Sequence, residues 1–146
     1  MREALAEARI AAGYGEIPIG AVVEKNGLII GRGRNQTESA KDPTAHAEIE
    51  AIKAACKTLG GWRLSECNMY VTTEPCAMCA GALLLARVEK VYIGALNPKG
   101  GACVSLRQLL SDSRLNHCVA IDVGLLQDEC ETLMKEFFSE LRKTKR

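Results

Sequence analysis

The chain has 146 residues, of which 47% are hydrophobic and 25% are charged, a composition that is typical of a globular protein. It excludes a disordered tail, a collagen-like fibre and a polybasic arm, and at about 150 residues per domain the length predicts one domain over residues 1–146. The 19 Lys and Arg residues against 18 Asp and Glu residues give a formal net charge of +1, so any contact with nucleic acid must depend on where the cations lie.

The apolar segments are too short for a membrane span. The longest apolar run, residues 76–86, ends at Arg87, which is short of the ~18 to 20 residues that a transmembrane helix needs. The first residues mix acids and bases, unlike a secretory signal. We therefore expect a cytoplasmic protein without a membrane partner, whose seven cysteines are free thiols or metal ligands.

Hydrophobic periodicity and turn signals predict alternating helices and strands. The dipeptide Asn26-Gly27 separates two apolar runs, which is typical of a tight hairpin turn, and Asp42 is a candidate N-cap for the helix that follows. The predicted elements, in chain order, are a helix at 2–13, strands at 17–23 and 28–30, a helix at about 44–59, a strand at 68–73, a helix at about 76–87, a strand at 90–95, a short helix at 106–110, a strand at 118–123 and a helix at 127–143.

This order of elements predicts an α/β fold. Strands that alternate with helices are joined by crossovers, and crossovers of this kind imply parallel strands with helices covering the sheet. The first two strands form an antiparallel hairpin, so we expect a mixed five-stranded sheet in which the remaining crossovers are parallel.

Three residues of types that bind metals occur near predicted helix starts. Cys76 and Cys79 form a CxxC pair, and His46 lies 30 residues upstream. Three ligands of the His/Cys/Cys type leave one position of a tetrahedral metal open, which is the pattern of catalytic zinc. Alone, the pair is equally compatible with a redox motif or with two core cysteines, and a lone helix histidine is usually packed or solvated. The other five cysteines have apolar neighbours and are predicted to be core thiols.

Glu48 is the candidate general acid and base, because it follows the candidate ligand His46 by two residues. An ideal helix separates such positions by about 200°, so both side chains can serve one site only near the helix end. The alternative is a solvated surface glutamate.

The string His46-Ala47-Glu48, followed by Pro75-Cys76-Ala77-Met78-Cys79, is the signature of zinc-dependent nucleobase deaminases. Beyond that signature, the chain resembles the bacterial tRNA-specific adenosine deaminases of the cytidine/deoxycytidylate deaminase superfamily. The similar segments cover most of the chain and are residues 17–21, 33–35, 42–48, 74–82, 94–95, 98–99, 101–102, 115–117 and 137–138.

The resemblance implies a three-layer cytidine-deaminase-like fold and hydrolysis of the wobble adenosine of an arginine tRNA to inosine. It implies that the histidine and the two cysteines bind one Zn²⁺ per subunit and that Glu48 moves protons. It also implies that Asn35 hydrogen-bonds the flipped base, that the backbone of Ala47 lines the pocket, and that a homodimer grips the tRNA anticodon stem-loop. The alternative for Asn35 is a plain turn residue.

Candidate RNA contacts lie in the loop after the fourth strand. Lys99 is the candidate for a phosphate contact, because ligands of α/β sheets bind where such strands end. Asn97 departs from the family, in which many members carry aspartate at this position. Since a carboxylate can accept a hydrogen bond from a ribose 2′-OH, we hypothesise that Asn97 weakens the discrimination of RNA from DNA.

Further candidates lie near the end of the chain. Phe137 and Phe138 could stack a splayed base, but adjacent helix residues do not face one surface, so at most one of them should contact RNA. Arg142 leads a basic end that continues with Lys143, Lys145 and Arg146, and its alternative is a frayed solubilising tail. Asn116 lies in a segment that resembles the family.

Two other functions remain open from the sequence. The same zinc chemistry serves deaminases of free cytidine, cytosine or guanine, although the last helix and the context of Asn35 favour a tRNA substrate. A non-catalytic subunit that keeps zinc for structure is the second alternative, and Glu48 argues against it because such a subunit needs no proton shuttle.

Overall fold

The computed structural model describes residues 1–145, so Arg146 lies outside the described residues. Within that range, no helix is both long and apolar enough to cross a membrane. The elements, in chain order, are α1 (Arg2–Gly13), β1 (Gly20–Lys25), β2 (Leu28–Arg34), α2 (Thr37–Ala40), α3 (Ala47–Leu59), β3 (Asn68–Thr73), α4 (Ala77–Leu85), β4 (Lys90–Ala95), a 3₁₀ turn (Leu109–Ser111), β5 (Ala120–Val123) and α5 (Gln127–Thr144).

The five strands form one mixed sheet in the order β2-β1-β3-β4-β5. Strand β1 pairs antiparallel with β2 and with β3, whereas β3, β4 and β5 are mutually parallel. The hairpin turn has positive φ at both Asn26 and Gly27 (52° and 80°), as a type I′ turn requires. Strands β2 and β3 run in the same direction on either side of β1, so the predicted mixed sheet with parallel crossovers is confirmed.

Helices cover both faces of this sheet. A Cβ on Gly20 would overlap α1 at Ala4 and Ala8, whereas a Cβ on Gly33 would overlap α3 at Ala47 and Ala51. Gly33 pairs with Ala21, the neighbour of Gly20, and successive strand residues point to opposite faces. Helices α1 and α3 therefore lie on opposite sides, and the structure has three layers.

The larger core lies between the sheet and helices α3 and α4. It contains fully buried residues from each of these elements, including Val71 of β3, Ala51 of α3 and Leu83 of α4. A smaller cluster joins α1 and α5 through Leu5 and Cys130. The larger core holds the start of α3 and of α4 in fixed positions against the sheet.

The start of α3 differs from the prediction. The helix begins at Ala47 rather than near residue 44, and Asp42 is not its N-cap. The Asp42 carboxylate instead accepts hydrogen bonds from the backbone N–H and the hydroxyl of Thr44 (2.8 and 2.7 Å). These bonds close a turn that competes with the first helical turn. His46 therefore occupies the N-cap position.

None of the seven cysteines forms a disulfide. Of the five outside the CxxC pair, Cys67, Cys103 and Cys130 are buried, and Cys56 is partly buried. Cys118 is exposed in the loop before β5, so the prediction of a core thiol is wrong there. Its apolar neighbours in the sequence did not predict its burial, because a loop has no regular period that would place a given residue on a buried face.

Candidate metal centre and active site

One edge of the sheet gathers the residues that carry chemistry. The carboxyl ends of β2, β3 and β4 meet at this edge because these three strands run in the same direction. Strand β2 is followed by Asn35, β3 by Glu74 and Pro75, and β4 by Leu96 and Asn97. Ligands of α/β sheets bind at such an edge.

Three side chains converge there with the geometry of a metal site. His46 is the N-cap of α3, Cys76 is the N-cap of α4, and Cys79 lies in the first turn of α4. The Nδ1 atom of His46 lies 3.6 Å from Sγ of Cys76 and 3.5 Å from Sγ of Cys79, and all three ligand atoms lie within 4.8 Å of one another.

These separations fit tetrahedral zinc. Zinc bonds of about 2.3 Å to sulfur and about 2.0–2.1 Å to nitrogen place the two ligand atoms about 3.6 Å apart. The set of three ligands leaves a fourth coordination position open, which distinguishes catalytic zinc sites from structural ones.

The electrostatics of the two cysteines suit a metal. The pKa of Cys76 is lowered to about 5, mainly by a hydrogen bond from the Cys79 thiol and also by the backbone N–H groups of Cys79 and Met78, although burial opposes the shift. The pair therefore holds one thiolate at neutral pH, and the thiolate is the form that binds metal.

Glu48 is almost completely buried beside this centre, with 4% of its surface exposed. Burial raises the pKa of its carboxyl group, because the charged form loses its hydration. His46 has an extended backbone (φ −79°, ψ 152°), whereas Glu48 is the second residue of the helix. The two residues therefore lie at a helix end, where side chains two positions apart can serve one site.

Asn35 and Ala47 also lie at this edge. Asn35 is 5% exposed, and its backbone N–H donates to the carbonyl oxygen of Ile19 (3.1 Å). Ala47 is fully buried as the first residue of α3. Both positions are fixed by backbone contacts.

A mostly apolar groove of about 760 Å³ lies at the same edge of the sheet, between the segment before β1, the loop after β4 and α5. Of the sequence-predicted RNA contacts, Asn97, Lys99 and Phe138 line this groove. Sequence reasoning missed several of the other lining residues, which are Ile17, Ile19, Leu96, Glu131, Met134 and Lys135. Helical spacing could have found the last three, because they lie seven, four and three residues before Phe138.

The remaining candidates lie outside the groove. Phe137 is partly buried and meets Phe138 edge to face, with ring centroids 5.4 Å apart. Arg142 is exposed one helical turn beyond Phe138. Asn116 is exposed in the loop before β5, at the opposite end of the parallel strands.

Comparison with known proteins identifies the family. The profile of the MafB19-like deaminases matches residues 1–142. The tRNA-specific adenosine deaminase of Bacillus subtilis is 50% identical over 146 residues, which are the whole of this chain and 91% of that protein. The chain belongs to the tRNA-specific adenosine deaminases.

Solved structures of deaminases share its fold. The structure of a tRNA:A34 deaminase has a TM-score of 0.88 and 44% identity, and the match covers 91% of this chain and 96% of that one. A guanine deaminase from Bacillus subtilis has a TM-score of 0.62 and 43% identity, over 65% of this chain and 61% of its own. The predicted three-layer deaminase fold is therefore confirmed for this member of the tRNA-specific adenosine deaminases.

Proposed function

We propose that the protein converts the wobble adenosine of an arginine tRNA anticodon to inosine, with release of ammonia. The observation that carries this proposal is the His/Cys/Cys ligand set with a buried glutamate beside it, in a chain that is 50% identical to a tRNA-specific adenosine deaminase over its whole length. The choice of an arginine tRNA rests on the family resemblance.

We propose one Zn²⁺ per subunit, held by His46, Cys76 and Cys79. Imidazole and thiolate ligands at tetrahedral spacing favour zinc over the hard cations, which prefer oxygen. When bound, zinc lowers the pKa of a water molecule so that the water can attack C6 of adenine.

Glu48 supplies the proton transfers in this proposal. Its carboxylate takes one proton from the attacking water and delivers it to N1 of adenine. It then takes the second proton from the new hydroxyl group on C6 and delivers it to the leaving amino group. Adenosine and water thereby become inosine and ammonia. The burial that raises its pKa increases the protonated fraction of the carboxyl group near neutral pH, so that a proton is available for transfer.

Asn35 and Ala47 position the base in the same proposal. The Asn35 side chain hydrogen-bonds the flipped adenine, and the backbone at Ala47 lines the pocket. The rigidity of both positions supports these roles, because each is buried and tied to the sheet edge or to α3.

The groove is the proposed site for the nucleotides next to the wobble adenosine. Apolar surface and the exposed ring of Phe138 suit the stacking of unpaired bases, and the Lys99 and Lys135 side chains suit phosphates. Arg142 extends the same face of α5 by one turn. Local cations of this kind reconcile an RNA substrate with a net charge of only +1.

A second copy of this chain is the proposed protein partner. Large apolar side chains are exposed on α4 and on the loop after β4, and they are Met78, Leu85, Val104 and Leu106. Leu85 is 73% exposed, and Met78 lies seven residues before it on the same helix face. A homodimer would cover this patch. Sedimentation should show that the unmodified protein is a dimer and that Leu85→Glu is a monomer. If the variant remains a dimer, this face is not the interface.

A tRNA substrate favours a cytoplasmic location.

The test is inosine formation by the zinc-loaded protein on an arginine-tRNA anticodon stem-loop with adenosine at the wobble position. Free adenosine, cytidine and guanine are the parallel substrates, since a guanine deaminase shares the fold. We expect inosine from the stem-loop alone. Turnover of a free nucleoside or base without editing of the stem-loop would overturn the proposed substrate.

The variant Glu48→Ala tests the catalytic role. We expect it to retain zinc and to lose turnover by about 10²- to 10⁴-fold, the range of general acid and base catalysis. Retained turnover would remove Glu48 from the mechanism. If the unmodified protein holds zinc and deaminates none of the substrates, the non-catalytic alternative is correct.

A further inference from the structure

A buried carboxylate next to the metal centre has no part in the chemistry above. Glu74 lies between β3 and the zinc-binding start of α4 and is 2% exposed. Its backbone N–H donates to the carbonyl oxygen of Ala95 at the end of β4 (2.8 Å). The residue is thus fixed to the sheet at the catalytic edge.

The Glu74 side chain accepts five hydrogen bonds from one loop, residues 97–105. Its Oε1 atom accepts from the backbone N–H of Asn97 (3.0 Å) and from the Ser105 hydroxyl. Its Oε2 atom accepts from the successive backbone N–H groups of Cys103, Val104 and Ser105 (3.2, 2.8 and 2.9 Å). Successive N–H groups of this kind form a concave anion site, which the protein fills with its own carboxylate.

The loop closes tightly around this group. A Cβ on Gly101 would overlap the Glu74 carboxyl group, so a side chain at this position would displace the carboxylate from its hydrogen bonds. The N–H of Ala102 donates to the carbonyl oxygen of Pro75 (2.9 Å). Both oxygens of the carboxyl group accept hydrogen bonds and neither donates one, as expected for a carboxylate. Hydrogen bonds to a carboxylate are the stronger, charge-assisted kind.

The same loop begins with residues that line the groove. Asn97 donates its backbone N–H to Glu74, and Lys99 follows two residues later at the groove wall. The backbone N–H of Gly101 donates to the carbonyl oxygen of Asn97 (2.8 Å), which closes a turn around Lys99. One carboxylate therefore sets the position of the groove wall relative to the metal-binding helix.

We propose that Glu74 is a positioning residue for RNA binding: it holds the 97–105 loop so that Asn97 and Lys99 face the nucleotides next to the wobble adenosine. This inference rests on the proposed function. It assigns Glu74 to substrate affinity rather than to zinc binding or to the chemical step.

The test compares Glu74→Gln, Lys99→Ala and the double variant by steady-state inosine formation on the anticodon stem-loop. We expect each single change to raise KM by about 10-fold, because each removes a charged contact or its support. We expect kcat to stay within about 3-fold and zinc content to stay unchanged, because the reacting groups are untouched. In the double variant, KM should lie within about 2-fold of Glu74→Gln, since residues that act through one another are not additive.

Two results would overturn the inference. Additive effects, near 100-fold in KM, would show that Glu74 does not act through Lys99. Loss of zinc or a collapse of kcat with KM unchanged would assign Glu74 to the metal-binding helix instead. The matched control is Glu66→Gln, which changes an exposed carboxylate just before β3 and should alter none of these parameters.

A second measurement does not depend on activity or on a stable Glu74→Gln protein. Ser105→Ala removes one of the five donors, and we expect faster hydrogen exchange at the amides of Cys103 and Val104 with the exchange of α3 unchanged. Unchanged exchange at these amides would contradict the anchoring role. If the unmodified protein makes no inosine but the amides respond as expected, the proposed function fails and the anchor stands.

Discussion

Gly33→Ala tests whether the close contact between β2 and α3 sets the metal centre. A Cβ at Gly33 would lie 2.5 Å from the backbone nitrogen of Ala51 and closer still to the carbonyl oxygen of Ala47. Ordinary contacts between such atoms are about 3.5 Å, so α3 would have to retreat from β2 by more than about 1 Å. His46 is attached to the start of this helix and would move with it.

The expected magnitude follows from this geometry. Inserting a methyl group into a packed core costs about 1–3 kcal/mol, and the upper end applies here because backbone atoms cannot rotate away. A loss of about 3 kcal/mol in the free energy of unfolding lowers Tm by roughly 6–12 °C for a chain of this size. Because metal bonds tolerate only about 0.2 Å of displacement, we also expect the affinity for zinc to fall by at least about 10-fold.

The assay is thermal unfolding of the zinc-loaded variant, together with zinc competition against a chelator. Gly13→Ala is the matched control, because Gly13 is exposed at the end of α1 and a Cβ there meets nothing within 4 Å. We expect this control to leave zinc affinity unchanged and to raise the free energy of unfolding by at most about 1 kcal/mol. If Gly33→Ala keeps the Tm and zinc affinity of the unmodified protein, the close contact between β2 and α3 does not set the position of the metal centre.

Three further predictions concern the loops and the groove. Burial alone would raise the pKa of Glu16, but hydrogen bonds led by those from the side chain and backbone of Ser39 lower it below its usual 4.5. The stabilisation from the Glu16 carboxylate is therefore present above about pH 4.5 and is lost as the pH falls further. Glu16→Gln should lower the free energy of unfolding in urea by about 1–3 kcal/mol at pH 7, and it should reduce the further loss of stability below about pH 4.5. If the stability of the variant falls with pH as steeply as that of the unmodified protein, this prediction is wrong. Phe138→Ala should raise KM for the stem-loop by about 5- to 150-fold through lost stacking, whereas Phe137→Ala should mainly lower Tm, and the reverse pattern would exchange their roles. Asn97→Asp should raise the ratio of editing rates on matched RNA and DNA hairpins, and an unchanged ratio would remove this position from sugar discrimination.

The sequence by itself determined the local elements. The hairpin at Asn26-Gly27 was predictable because few dipeptides accept positive φ at both positions. The end of α3 was predictable for a related reason, since Gly60 takes the left-handed conformation that stops a helix. The ligand types were also readable, because histidine and cysteine spaced at two helix starts form a recognisable pattern. These patterns depend on residues close together in the sequence, so they can be recognised without knowledge of the fold.

Only the tertiary structure decided how these elements meet. Strand β1 lies between β2 and β3, a placement that follows from pairing between distant segments and not from hydrophobic periodicity. That order brings Asn35, Cys76 and Asn97 to one edge of the sheet. The orientation of α5 beside β4 decides that Phe138, and not Phe137, lines the groove. The role of Glu74 was invisible for the same reason: its hydrogen-bond donors lie 23 to 31 residues away and are mostly backbone N–H groups, which every residue except proline carries and no sequence pattern marks.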